Sequence, residues 1–210
     1  MNEKHLNTQG IILKRINYKD ADKILTIYTK ESGKISAIAK GIRKINSKRK
    51  SHLELLNHIK LHLIKSNGMY IVAQTEVIST NPKIRGDLEK TQLAYYITEV
   101  FDKLIPEEEQ NDLLFRFLEK TLKLLNSQAD INFVNGFNLK LLKLTGFYSK
   151  NKINDFPHDI REYFKKLEVM KYEGVLEIKP DFILAKTSHE ILKNMTEEIL
   201  EKSLKVKLLI

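Results

Sequence analysis

Apolar residues fall on alternate positions through much of residues 8–80, the period of half-buried strands, and at spacings of three and four from residue 93 onward, the period of helices. Residues 8–16 (TQGIILKRI) and 23–30 (KILTIYTK) read as strands, the second with Leu25 and Ile27 on one side and Ile24, Thr26 and Tyr28 on the other. Glu31, Ser32, Gly33 and Lys34 form a turn in which Gly33 is free to take a positive φ. Ile35, Ala37 and Ala39 then alternate with Ser36, Ile38 and Lys40. A fourth run, residues 59–65, turns at Asn67 and Gly68 into a fifth over residues 69–79. Five short strands with no helical stretch long enough for a crossover predict a small antiparallel barrel. An OB-fold has this strand count and size; an SH3-like barrel shares the pattern.

Leu93, Tyr96, Ile97, Val100, Phe101 and Leu104 make one helix, which Pro106 stops. Residues 113–125 make a second, and a third runs from an Asp130 cap through Leu144 to Gly146. Residues 160–167 read as a short helix and residues 169–178 as a hairpin turning near Glu173 and Gly174. Thr187 with Glu190 fits a capping box for a last helix toward Leu209. The fold class is α+β, with a barrel over residues 1–80 and a helical domain over residues 81–210.

Charge sharpens that division. Residues 1–80 hold 15 Lys or Arg against 6 Asp or Glu, whereas residues 81–210 hold 21 of each, so the net charge of +9 belongs to the barrel. Within it, residues 40–50 (KGIRKINSKRK) carry six cations and no carboxylate between the third and fourth strands. A charge run is usually just a solvated face. Here the imbalance extends over the whole barrel, the footprint of a polyanion binder. Lys outnumbers Arg 30 to 6, which suits phosphates better than guanine edges and predicts binding without sequence readout.

Lys40, Arg43, Lys44, Lys48, Arg49 and Lys50 are the candidate contacts, joined by Lys14 and Arg15 on local charge. Tyr28, opposite Leu25 and Ile27, is the candidate for stacking a base, against the plainer reading of a packed barrel tyrosine. Asp20, Asp22 and Glu31 are the acids that a metal-dependent nuclease would use, and they read more simply as turn residues. His58 and His62 lie about 13 Å apart along a strand, too far for one metal. A chain without cysteine has no disulfide, thiolate nucleophile or thiolate zinc site. No apolar run reaches the roughly 18 residues of a membrane span, and the amino terminus carries no signal-like stretch, which places the protein in the cytoplasm.

Gly10 to Leu13, Tyr18 with Asp22, the run 25–29 (LTIYT), residues 31–34 (ESGK) and residues 37–44 (AIAKGIRK) with Ser47 together resemble the amino-terminal signature of the bacterial recombination mediator RecO family. Residues 139–147 (LKLLKLTGF) resemble that family's helix ending in Leu-x-Gly-aromatic. The resemblance implies an amino-terminal OB-fold, a helical carboxy-terminal domain and DNA repair without covalent chemistry. It implies binding of single- and double-stranded DNA, annealing of complementary strands, and cooperation with RecR to help RecA displace single-strand-binding protein, whose carboxy-terminal tail meets the helical domain. No cofactor or membrane partner is implied, and the protein would be nucleoid-associated. The family's basic surface carries over to Lys34, Lys40, Arg43 and Lys44, with Lys48, Arg49 and Lys50 matched by position. Many relatives hold zinc on four cysteines in the segment that here spans residues 149–180; without cysteine that segment must rely on packing. A nuclease on an OB-like barrel, or a basic adaptor for RNA or membrane surfaces, is the alternative reading.

Overall fold

The computed structural model describes residues 4–66, 68–127, 130–148 and 153–208. Five strands, β1 (Lys4–Tyr18), β2 (Asp22–Thr29), β3 (Gly33–Ala39), β4 (His58–Ser66) and β5 (Met69–Ser79), close into a barrel in the order β1-β2-β3-β5-β4. This is the OB-fold order, and it excludes the SH3-like alternative. The alternation read from the sequence is the alternation of burial: Leu25, Ile27, Ile35, Ala37, Ala39, Ile59, Leu61 and Leu63 line one core. All strand pairings are antiparallel except β3 with β5, which is parallel and only two partners long, Ala37 with Tyr70 and Ile38 with Ile71. The barrel is therefore weakest at that seam. Asn67 of the β4–β5 turn lies outside the described residues; Gly68 beside it has φ +82°.

Contacts group the described residues into two compact units, the barrel with Ile105–Lys123 and the helices of Lys83–Leu104 with Leu124–Ile210. In the first unit, α3 (Asp112–Ser127) starts over the barrel end marked by the β2–β3 turn. Phe115 stacks on Tyr28 at 6.3 Å and meets His58 edge-on at 5.6 Å. Gly33 sits so close beneath the preceding segment that a Cβ would come within 2.2 Å of the Glu109 carbonyl, and its φ of +64° lies in the left-handed region that favours glycine.

The second unit contains α1 (Pro82–Arg85), α2 (Leu88–Leu104), the end of α3, α4 (Ile131–Leu144), α5 (His158–Val169) and α6 (Phe182–Leu200). Asp130 caps α4 by accepting the Phe133 amide at 2.7 Å, as its position predicts. Two expectations are corrected. Residues 169–178 form no hairpin: Tyr172–Glu177 is a 3-10 helix, whose period of three turns Tyr172 and Val175 toward α4. Tyr172 stacks on Phe133 at 5.2 Å, and Val175 occupies the space a side chain at Gly136 would need. Asn132 Nδ2 holds the turn by donating to the carbonyls of Val175 (2.6 Å) and Ile178 (2.8 Å). The last helix starts at Phe182 rather than Thr187, because Asp181 accepts the Ile183 amide at 3.0 Å and caps it first. It ends at Leu200; Leu209 lies outside the described residues.

Residues 149–152 of the stretch matched to the zinc segment also lie outside the described residues. The donors present do not fit a four-thiolate zinc site: among the described residues no three His, Asp or Glu side chains gather to hold a metal. Nor is any described helix long and apolar enough to cross a membrane.

Asn132, Asn135 and Asn138 recur every three residues along the buried face of α4. Asn135 Nδ2 donates to the Ala185 carbonyl at 2.8 Å, which leaves its Oδ1, 3.3 Å from His189 Nδ1, to accept from the imidazole. Burial lowers the His189 pKa from its ordinary 6.5 to about 4. Between those values the unfolded chain takes up a proton that the folded chain refuses, so stability is intact above pH 6.5 and falls as the pH drops toward 4. The expected loss is about 3 kcal/mol. Chemical denaturation of wild type and His189→Asn across pH 4 to 7 measures it: wild type should lose that much more than the variant, and parallel profiles would refute the assignment.

Candidate nucleic-acid interface

The connection from β3 to β4, residues 40–57, is built into the barrel. Ile42, Leu53 and Leu56 are buried, and the first two belong to the barrel core. Its backbone is tied to neighbouring elements. Gly41 N donates to Asp22 Oδ1 at 2.7 Å, Arg43 N to the Ala21 carbonyl at 2.9 Å, and Leu56 N to the Ile12 carbonyl at 2.9 Å. Asn57 Nδ2 caps it from inside, donating to the carbonyls of Ser51 and His52 at 2.8 Å each.

The strongest tie is Arg49. Its Nη1 donates to the carbonyls of Val72 (2.7 Å) and Ala73 (3.3 Å) on β5, and its Nη2 to the Lys40 carbonyl (3.0 Å) at the end of β3. These carbonyls lie just beyond the two residue pairs where β3 and β5 meet, so the guanidinium continues the ladder across the seam. A planar fork of donors is suited to this task, and an ammonium is not.

With the backbone secured, the charges point outward. Lys40, Lys44, Lys48 and Lys50 are exposed, and none forms an ion pair among the described residues. Lys14 is exposed as well. Arg43 is exposed, its Nη1 reaching the Lys19 carbonyl at 3.4 Å. Ile45, at the tip, is fully solvated.

The remaining expected contacts are corrected or requalified. Tyr28 is fully buried under Phe115, its hydroxyl 3.4 Å from the Asn111 carbonyl and its pKa pushed up to about 12 by burial; it stacks no base. Lys34 is nine-tenths buried at the start of β3, where its carbonyl accepts the Glu108 amide at 3.0 Å. That is ~20 Å of strand away from Lys40, so Lys34 does not join the loop. Arg49 is consumed by backbone carbonyls. Arg15 is half-buried, its guanidinium bound to Glu54 at 2.7 Å and the Leu53 carbonyl at 3.2 Å, where it braces the loop.

Lys23 was not among the sequence-derived candidates. It lies opposite Asn17 across the β1–β2 hairpin, in a cleft of about 240 Å³ lined also by Arg15, Arg43, Lys50 and Glu54. Partial burial, together with the charges of Arg15, Arg43 and Lys50, lowers its pKa, with Glu54 opposing. The signal for it was the tight turn after Tyr18, which fixes residue 23 opposite residue 17. A larger hollow of about 390 Å³ on the β1–β4–β5 face carries Glu31 and Glu76 against Lys60, so the smaller cleft is the more cationic of the two.

The acids of a nuclease do not converge. Asp22 starts β2 and accepts the Gly41 amide, while Glu31 follows its far end, ~25 Å away, and accepts from Thr8 Oγ1 and Gln9 N.

A closed OB barrel bearing a braced cationic connection, followed by a helical unit, has the architecture of the oligonucleotide-binding class. Family profiles described as Recombination protein O N terminal and Recombination protein O C terminal match residues 1–81 and 85–150. A DNA repair protein RecO of Clostridium perfringens is 34% identical over 170 residues, covering 76% of this chain and 69% of the relative. Those of Roseiflexus sp. and Thermoanaerobacter sp. are 34% and 33% identical, and the matches span 52% and 58% of their lengths. The chain belongs to the RecO family of DNA repair proteins.

The Arg49 bridge makes a direct prediction. Arg49→Lys keeps the charge yet loses the fork, and should cost about 3 kcal/mol of stability while opening residues 40–57 to trypsin. Lys48→Met beside it should leave unfolding unchanged. Equal stability of the two variants would remove Arg49 from the account.

Proposed function

We propose that the chain binds single- and double-stranded DNA through the phosphate backbone, anneals complementary strands, and, with RecR, helps load RecA onto DNA coated by single-strand-binding protein. One observation carries the DNA-binding part: lysines 40, 44, 48 and 50 face solvent, without an ion pair among the described residues, on a connection tied to β1, β2 and β5. Mobile ammonium groups on a fixed frame suit phosphates spaced along either a duplex or a single strand. Binding the two complements of a pair on such a surface neutralises the charge that keeps them apart, and each phosphate contact releases counterions. No step in this scheme makes or breaks a covalent bond. The partners RecR and the carboxy-terminal tail of single-strand-binding protein are carried over from the family, and the place of action is the cytoplasm, at the nucleoid.

Annealing of complementary oligonucleotides at several salt concentrations tests this. Wild type should accelerate annealing, with affinity falling steeply between about 50 and 200 mM salt. A variant with Arg43, Lys44, Lys48 and Lys50 all changed to Glu, and Arg49 retained, should lose at least a hundredfold in affinity and all acceleration. Unchanged annealing by that variant would take the loop out of the mechanism. Stronger competition by RNA or by anionic vesicles than by DNA would assign the surface to a different polyanion.

A further inference from the structure

We propose that the cleft around Lys23 is a phosphate subsite, which seats one phosphate group of the strand with Lys23 as its central ligand. The inference rests on the DNA-binding reading above and deepens it by fixing where one phosphate is held. Lys23 projects from β2 between Asn17 on β1 and Ala39 on β3, its cross-strand partners. Arg15, Arg43 and Lys50 join it around the cleft, and the one carboxylate there, Glu54, is bound to Arg15 at 2.7 Å. The Lys23 ammonium forms no hydrogen bond or ion pair among the described residues. Three further cations therefore surround Lys23 while the only acid is already engaged. Partial desolvation and the repulsion of its neighbours both act against the charged form of Lys23.

Such an arrangement costs stability in the free protein and is relieved by an anion. A phosphate fits better than a planar carboxylate, because its oxygens point in several directions and the donors converge from β1, β2 and the connection. The Asn17 amide, also lining the cleft, adds an uncharged donor for a further oxygen. The cleft opens beside Arg43 and Lys50, so a phosphate seated in it is continuous with the exposed lysines of the loop. The phosphate is either a backbone diester or a terminal monoester; the chemistry is shared, and the test separates them.

Lys23→Met keeps the length of the side chain and removes the charge. Thermal unfolding is measured alongside binding of an oligonucleotide carrying either a 5′-phosphate or a 5′-hydroxyl, over a series of salt concentrations. The variant should melt no lower than wild type, bind about fivefold more weakly at low salt, and lose about 0.7 from the slope of log K against log salt for single strands, the share of one phosphate. Equal losses for both oligonucleotides assign a backbone phosphate. An advantage of the phosphorylated strand that disappears in the variant assigns a terminal one. Wild-type affinity and slope in Lys23→Met would overturn the subsite, and so would a lower melting temperature, which would make Lys23 a structural residue. A Lys44→Met, Lys48→Met double variant separates the two readings: if it also binds like wild type, the loop itself does not face DNA, whereas weakened binding there beside an unaffected Lys23→Met removes the subsite alone.

Discussion

The barrel closes through a seam that its own backbone barely holds. Strands β3 and β5 run parallel and pair over two residues each, and beyond them Lys40, Val72 and Ala73 are not paired across the seam. Arg49 donates to all three of their carbonyls from one guanidinium. Because Arg49 sits in the middle of the β3–β4 connection, the bond that closes the barrel is also the bond that shapes the connection. Ile42 and Leu53 can then enter the core on either side of it, and the backbone between them has to follow a fixed path. The other ties, Gly41 to Asp22, Arg43 to Ala21 and Arg15 to Leu53 and Glu54, fasten the same segment to the β1–β2 hairpin.

This constraint divides the cations by chemistry. Two arginines are occupied in holding structure, Arg49 across the seam and Arg15 on Glu54, while Arg43 stays exposed with its Nη1 3.4 Å from the Lys19 carbonyl. The lysines of the loop are left in water. A planar fork can satisfy several carbonyls at once, whereas a single ammonium on a flexible stem follows a phosphate wherever the strand places it. A loop with six cations thus carries five outward positive charges and one inward one.

Much of the barrel was legible because its burial alternates locally. Leu25 and Ile27, and then Ile35, Ala37 and Ala39, reveal which face is inside without reference to distant residues. What was misread depends on elements far away in sequence. Tyr28 lies on the face that a barrel alone would leave wet, but Phe115 of α3 covers it. Lys34 is covered in the same way by the segment that leads into that helix. Arg49 looked like one more cation in a run, because its carbonyl partners are 23 and 24 residues onward. For Lys23 the turn after Tyr18 was a signal for its place opposite Asn17, but the cations around it come from the connection that the fold brings over it. In the helical unit, Val169 to Ile178 has the residue types of a hairpin, and only the docking of Tyr172 and Val175 on α4 selects a period of three.

The central claim is that the cationic connection is already shaped before nucleic acid arrives and presents its lysines on a rigid frame. Amide hydrogen exchange resolved by residue, with and without a single-stranded oligonucleotide, addresses it directly. In the free protein the amides of Gly41, Arg43, Leu53 and Leu56 should exchange as slowly as those of β2 and β3, since each is bonded to a carbonyl or to Asp22. With the oligonucleotide, protection should increase along residues 43–50 and stay unchanged on the β1–β4–β5 face. Complete exchange of those four amides at the earliest time point in the free protein would contradict the account.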